Sequence, residues 1–323
     1  MDATDWELII IGAGPAGLTA AQYGARAALR TLVIEQLSPG GQALLIDKLE
    51  NYPGLFPAKS GYDFSQDLYC QAGAFGAQFL FDSVLALEKE ADRFLVTPSG
   101  GQKMRAKAVI IAAGTKRRPL GIPGEAEFAG RGVSSCATCD GPFFKNNKIF
   151  VVGGGDAACV EAQYLSHLSS QVVLIHRRNR FRAQGALAEQ AARNPHIEVR
   201  LNTRMREIRG DTQVRSAVLE RLDSGELYEE AAGAVFIFAG TLPQTAFLTA
   251  EPGTPGRRLA VAFDPHGYIV TGGAMETAVP GLFAAGDVRA GSFRQAVTAA
   301  GEGAAAAHSA ALYIDGLDGG ADR

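Results

Sequence analysis

At 323 residues and 47% hydrophobic content, the chain exceeds the size at which one core usually stops growing, so two domains are expected. Its 31 Lys+Arg against 34 Asp+Glu leave a net charge of −3 with no long single-sign run, which excludes an electrostatic platform for nucleic acid or anionic lipid. Apolar runs are broken by glycine or charge before the roughly 20 residues a membrane helix needs, and MDATDWELIIIGAG carries no basic leader, so a cytoplasmic protein is expected.

The first predicted elements lie in WELIIIGAGPAGLTAAQYGARAALRTLVIEQ: an apolar strand, a turn holding Gly12, Gly14 and Gly17 around Pro15 and Ala16, an alanine-rich helix, and a strand running to Glu35 and Gln36. Glycines in such a turn let the backbone approach a pyrophosphate, and the helix N-terminus supplies unpaired N–H groups and partial positive charge. A glycine fingerprint alone is weak evidence; its place between strand and helix gives it weight. A stretch of alternating polarity then predicts a small β-meander, followed by the apolar strand VIIAAGTKRRP with Ala113 and Gly114 near its end.

Next comes SSCATCDGPFF, which sets Cys136 and Cys139 three residues apart with Asp140 directly after. Zinc needs about four ligands, but the other cysteines, Cys70 and Cys159, are isolated and the five histidines show no ligand spacing. No metal site is expected, and Cys70 and Cys159 are read as small buried apolar residues. A structural staple is a poor alternative, because so short a loop gains little from closure and a cytosol is reducing. A redox dithiol is the reading that stands. Asp140 is either a turn or helix-cap aspartate or the acid that protonates a departing thiolate.

The opening pattern is then written again. KIFVVGGGDAACVEAQYLSHLSSQVVLIHRR repeats it at a constant offset of 141, with Gly153 and Gly155 in the first two glycine places, Asp156 and Ala157 between, and Ala158 in the third. Where the second strand of such a unit ends, the fold meets an adenosine ribose. The first copy has Glu35 there, suited to a free ribose diol and repelling a 2′-phosphate; the second has His176, Arg177 and Arg178, with Arg182 nearby, suited to a phosphate dianion. FAD in the first domain and NADPH in the second is the economical assignment, with NADH disfavoured.

The C-terminal stretch, GYIVTGGAMETAVPGLFAAGDV and an alanine-rich helix, has no fingerprint of its own. It is expected to fold back onto the first domain. The predicted fold is therefore α/β, with two Rossmann-like, three-layer ββα nucleotide-binding domains, the second inserted into the first. Residues 1–116 and 246–323 form the FAD domain and 117–245 the NADPH domain, with joints at GTKRRP and GTLPQT.

In order and spacing, GAGPAG, SPGGQ, ENYPG, AAGTKRRP, CATCDG, GGGDAA, HRRNRFRA, LFAAGDV and RQA resemble the low-molecular-weight, bacterial-type thioredoxin reductases over nearly the whole chain. The resemblance implies FAD contacts from the first fingerprint, Glu35, Gly41, Gln42, Asn51, Gly286, Asp287, Arg294, Gln295 and Ala296. It implies that Cys139 faces the flavin, that Cys136 attacks the disulfide of thioredoxin, and that Asp140 is the acid. Arg131 and Phe143 would help dock the partner; Pro142 departs from the aromatic or small residue common there, which touches docking only. A homodimer is implied, as is rotation of the inserted domain about its joints, because one sulfur cannot both pack on the flavin and meet a protein. Three other readings compete: a dithiol oxidase of the same fold, disfavoured by HRRNRFR; a reductase of a glutaredoxin-like or peroxidase-associated partner; and a flavin-binding redox sensor.

Overall fold

The structure, a computed structural model, describes residues 4–46, 48–248 and 259–318. It divides into one unit of Met1–Lys116 with Leu242–Arg323 and another of Arg117–Thr241. The second crossing thus falls at 241/242 rather than 245/246. The reason is local: the Gln244 N–H donates to the Gly114 carbonyl at 3.0 Å and its Nε2 to the Ala113 carbonyl at 2.7 Å, tying these residues to the first unit.

The first unit opens with β1 (Thr4–Ile11), α1 (Pro15–Arg26) and β2 (Thr31–Glu35), then α2 (Gly61–Ala74) and β3 (Gln78–Phe81), a hairpin of β4 (Val84–Glu90) and β5 (Arg93–Pro98), and β6 (Met104–Ile111). β3, β2, β1 and β6 form a parallel sheet in that order, and β5 and β4 continue it antiparallel from the first half of β6. Period-2 side-chain alternation decides the layers. Leu8 and Ile10 pack with the alanines of α1, whereas Ile9 and Ile11 pack with Leu87, Phe94 and Val96 of the hairpin. α2 starts where Ser60 Oγ accepts from the Asp63 N–H at 3.0 Å. It buries Phe64, Ser65 and Ala72, so Cys70 points off that face and is exposed, contrary to the buried position expected for it.

The chain crosses by β7 (Thr115–Arg117) into the second unit. Here β8 (Val133–Ser134) precedes the one-turn helix α3 (Ala137–Asp140), followed by β9 (Ile149–Gly153), α4 (Asp156–Ser166), β10 (Val172–Ile175), α5 (Gly185–Arg193) and β11 (Ile197–Arg200). An antiparallel meander of β12 (Thr203–Gly210), β13 (Val214–Arg221) and β14 (Leu227–Ala231) leads to β15 (Ala234–Phe238). The parallel sheet has the order β11-β10-β9-β15-β8. The layering repeats: Val151 and Leu174 pack on α4, and Phe150 and Val173 on the meander. Both units are three-layer ββα sandwiches, as the sequence pattern predicts.

An ion network ties the second unit's sheet to its meander. Arg200 Nη1 donates to Glu230 Oε2 at 2.5 Å, Arg200 also pairs with Glu198, and Lys148 pairs with Glu230. The Arg200 guanidinium, then Lys148, hold the Glu230 carboxyl down to about 2 from an ordinary 4.5. A depressed carboxyl contributes stability that is complete above the unfolded value and is lost as pH falls through the folded one. Glu230→Gln should therefore remove about 2 kcal/mol at neutral pH, and less as pH drops from 4.5 toward 2. Urea unfolding across that range reads it; wild-type and variant curves that stay parallel would refute the assignment.

The return strand β16 (Thr241–Pro243) pairs with β7, and β17 (Leu282–Ala284) then pairs parallel with the second half of β6, joining the first unit's sheet. The last helix, α6 (Ala296–Asp318), lies on α1, its Ala306, Ala307 and Ala310 packing with Ala16 and Ala20. No described helix is long and apolar enough to cross a membrane.

Candidate functional site

The two glycine turns solve one packing problem in the same way. Gly12 has φ +103°, and a Cβ there would fall on the Ala112 carbonyl of the neighbouring strand's end; at Gly153 it would lie 2.7 Å from the Phe238 carbonyl and 2.6 Å from the Ala158 side chain. Gly17 sits against the Gly12 carbonyl. Gly14 and Gly155 differ from these, because a Cβ at either meets nothing within 4 Å. Their lack of a side chain answers no internal packing need and leaves space in front of the helix N-terminus, the arrangement a pyrophosphate requires. Pro15 at the start of α1 forgoes an N–H that has no helical partner.

At the end of β2, Glu35 Oε2 accepts from the Ala13 N–H at 2.7 Å and Oε1 from the Leu37 N–H at 3.1 Å. The carboxylate is thereby fixed beside the first glycine turn. Gln36 is exposed next to it. The matching place in the second unit is strongly basic. Arg177, Arg178 and Arg182 are exposed and form no ion pair among the described residues, as is true also of Arg118, Arg180 and Arg204 of the same unit; what sets the three apart is that their charges converge on His176, just past the end of β10. Unpaired guanidinium groups at one corner are a phosphate-binding resource. His176 differs from its neighbours: it is only 7% exposed, its ring packs against Gly154 and Phe181, and Nε2 has no partner among the described residues. Burial first, then the charges of Arg182, Arg178 and Arg177, lower its pKa and favour the neutral ring. Asp156 accepts from the Gln184 N–H at 2.8 Å and from Gln184 Nε2 at 2.9 Å, tying the second glycine turn to the residues after Arg182. Ala157 is exposed beside it.

In the first unit, Asn51, Arg294, Gln295 and Ala296 line a cavity of about 360 Å³ with Ile46, Lys48, Leu49 and Glu50. Asn51 Nδ2 donates to Gln295 Oε1 at 3.0 Å. Gln42 sits against β7, donating to Thr115 Oγ1 at 2.7 Å, and Gly41 lies with its Cβ position 3.3 Å from Gly14 Cα. Gly286 and Asp287 form a 3₁₀ turn after β17; a Cβ on Gly286 would be 2.9 Å from that of Ala16, so the turn abuts the start of α1. Asp287 has no hydrogen bond or ion pair among the described residues, and burial raises its pKa, with Arg294 opposing and Glu302 reinforcing. Ala113 and Gly114 are partly exposed at the end of β6.

Cys136 stands just before α3, partly buried and disulfide-bonded, with its N–H donating to Ser134 Oγ at 3.0 Å and its Sγ 3.4 Å from Thr138 Oγ1. Cys139 lies in α3, and its side chain is outside the described residues. The Asp140 N–H donates to the Cys136 carbonyl at 3.1 Å; its carboxylate has no partner among the described residues. Pro142 and Phe143 are exposed. Arg131 Nη2 bonds the Glu127 carbonyl and its guanidinium stacks on Phe128. Cys159 is a different kind of thiol, buried in the α4 core and pushed up to about 11, which leaves it inert at neutral pH.

Two buried features escaped the sequence pattern. Arg117 and Glu161 face each other electrostatically in the second unit, each shifted toward its neutral form by burial. In the first, Glu302 and Arg289 join beneath the Gly286 turn. Charged residues in an alanine-rich helix give no periodic signal; the only hint is the Gly301–Glu302–Gly303 triplet.

The pyridine nucleotide-disulphide oxidoreductase family matches residues 6–303. The thioredoxin reductase of Treponema pallidum (strain Nichols) is 52% identical over 315 residues, spanning 97% of this chain and 99% of the relative. That of Bacillus subtilis (strain 168) is 41% identical over 313 residues, 97% and 96% of the two chains. The crystal structure of Lactococcus lactis thioredoxin reductase in its FR conformation superposes with a TM-score of 0.88 at 38% identity, covering 97% of this chain and all of that one (100%). With similarity of this degree along nearly its whole length, the chain belongs to the pyridine nucleotide-disulphide oxidoreductases and, within them, to the thioredoxin reductases of bacterial type.

Proposed function

We propose that the chain is an NADPH-dependent flavoprotein that reduces the disulfide of thioredoxin, with FAD held by the unit Met1–Lys116 with Leu242–Arg323 and NADPH by Arg117–Thr241. The observation that carries this is the opposite charge at two equivalent places: a fixed carboxylate, Glu35, at one glycine turn and unpaired Arg177, Arg178 and Arg182 at the other. Both sites fit their groups. Gly14 and Gly155 leave open approaches for two pyrophosphates, and Asp287 is a partly buried acceptor with no donor among the described residues. When bound, the flavin supplies the exchange between a two-electron hydride donor and sulfur.

The chain's own residues do the rest. Glu35 accepts from ribose hydroxyls, and the arginines hold the 2′-phosphate. In the reduced couple, the Cys136 thiolate attacks one sulfur of the thioredoxin disulfide and displaces the other as a thiolate, which takes a proton from Asp140. Cys139 then attacks the mixed disulfide at Cys136, releasing the second thioredoxin thiol and closing the Cys136–Cys139 bond. The nicotinamide site and the couple both belong to Arg117–Thr241, so this unit turns about its two crossings between half-reactions. A cross-link between the units should preserve one half-reaction and abolish turnover; full turnover would refute the rotation. A cytoplasmic homodimer completes the reading, and sedimentation of the purified chain reads its oligomeric state.

Anaerobic addition of NADPH to the FAD-loaded chain should bleach the flavin and yield one dithiol, with NADH much less effective. Absence of bleaching would leave the oxidase or sensor readings. A panel of thioredoxins and glutaredoxins in an insulin-coupled assay then identifies the partner.

A further inference from the structure

The turn Gly286–Val288 is held at both ends by one side chain. Glu302, on α6, accepts from the Gly286 N–H through Oε2 at 2.7 Å and from Arg289 Nη1 through Oε1 at 2.8 Å. Arg289 Nε in turn donates to Thr271 Oγ1 at 2.8 Å. The carboxylate and guanidinium side chains are only 15% and 12% exposed. Glu302 can reach the turn because its neighbour Gly303 has no side chain: a Cβ there would fall on the Ala16 carbonyl, so α6 closes onto α1 at this point. Between the two anchored residues lies Asp287, partly buried and without a hydrogen-bond or ion-pair partner among the described residues.

A charge pair this far from water gains little net stability over apolar packing. Its distinctive product is geometry. Gly286 has φ +78° and lies against Ala16 at the start of α1, so fixing its N–H fixes the turn beside the first glycine fingerprint. Resting on the reading that this unit holds FAD, we infer that Glu302, braced by Arg289 and Thr271, is a positioning residue that sets the Asp287 turn for the flavin nucleotide.

The test is FAD release from the full-length holoprotein, followed by recovery of flavin fluorescence on dilution. Glu302→Gln should weaken FAD binding roughly 10- to 100-fold and shift the visible absorption band of the flavin that remains bound, a signature that general loss of stability would not produce. Thr271→Val, which removes only the outer hydrogen bond and keeps the chain foldable if Glu302→Gln does not fold, should weaken it about threefold to tenfold. In an Asp287→Asn background, either change should cost less than about threefold, because the group being positioned is already altered. Wild-type protein that takes up no FAD overturns the functional reading itself. Wild-type protein that binds FAD while the variants bind it equally well, or lose the same factor with and without Asp287, overturns this inference alone.

Discussion

Cys136→Ser should abolish thioredoxin reduction, to below about a thousandth of the wild-type rate, while NADPH still bleaches the flavin at an undiminished rate. The two effects separate because a serine oxygen cannot carry the exchange reaction that a thiolate performs, whereas nothing in the nucleotide site depends on this sulfur. Cys136 lies before α3, bonded through its N–H to Ser134, and the fingerprint lies at Gly153 and Gly155. Oxygen is nearly isosteric with sulfur, and Cys136 is only partly buried, so folding should be unaffected. Stopped-flow anaerobic reduction and an insulin-coupled assay read the two halves. A variant that retained thioredoxin turnover would show that another thiol meets the partner. Cys139, the other member of the couple, and exposed Cys70 are then the thiols to examine, since Cys159 is buried.

The second large effect concerns the nucleotide's phosphate. Arg177→Ala with Arg178→Ala should raise the KM for NADPH roughly 100-fold with kcat little changed, and leave NADH kinetics where they were. Each guanidinium is exposed and free of ion pairs among the described residues, so its removal breaks no internal pairing and should leave stability intact. An interaction made equally in ground and transition states shows itself in KM alone. The preference for NADPH over NADH should also weaken with added salt in the wild type and much less in the variant. Equal changes for both nucleotides would mean that the arginines act on something other than the 2′-phosphate.

Much of the architecture was legible because it is local and periodic. Leu8, Ile9, Ile10 and Ile11 are apolar in succession because both faces of β1 are covered. Glycines at fixed offsets announced the turns, and at Gly12 and Gly153 a Cβ would strike a neighbouring carbonyl. The constant offset between the two fingerprints predicts two similar sandwiches, and Gly12 and Gly153, like Gly14 and Gly155, have the same surroundings in pairs. The Cys136–Asp140 segment was conspicuous for the same reason, with three informative residues, Cys136, Cys139 and Asp140, within five positions.

What was not legible depends on which distant residues meet. Cys70 was expected to be buried because cysteine usually is; the angle of α2 turned it outward, and that angle is set by Phe64, Ser65 and Ala72 against the core. His176 looked like one more basic residue of its cluster, yet its ring is packed on Gly154 and kept neutral by burial and by the three arginines around it.

By itself the sequence determined the fold class, the duplication, the place of both fingerprints and the opposite charge beside them, since each follows from residue type and spacing along one short stretch. Only the tertiary structure decided that Glu302 and Arg289 clasp the Gly286 turn and that Gln184 closes on Asp156. Those partners lie 13 to 28 residues apart, and no local periodicity records a hydrogen bond that exists only after helices and strands have packed.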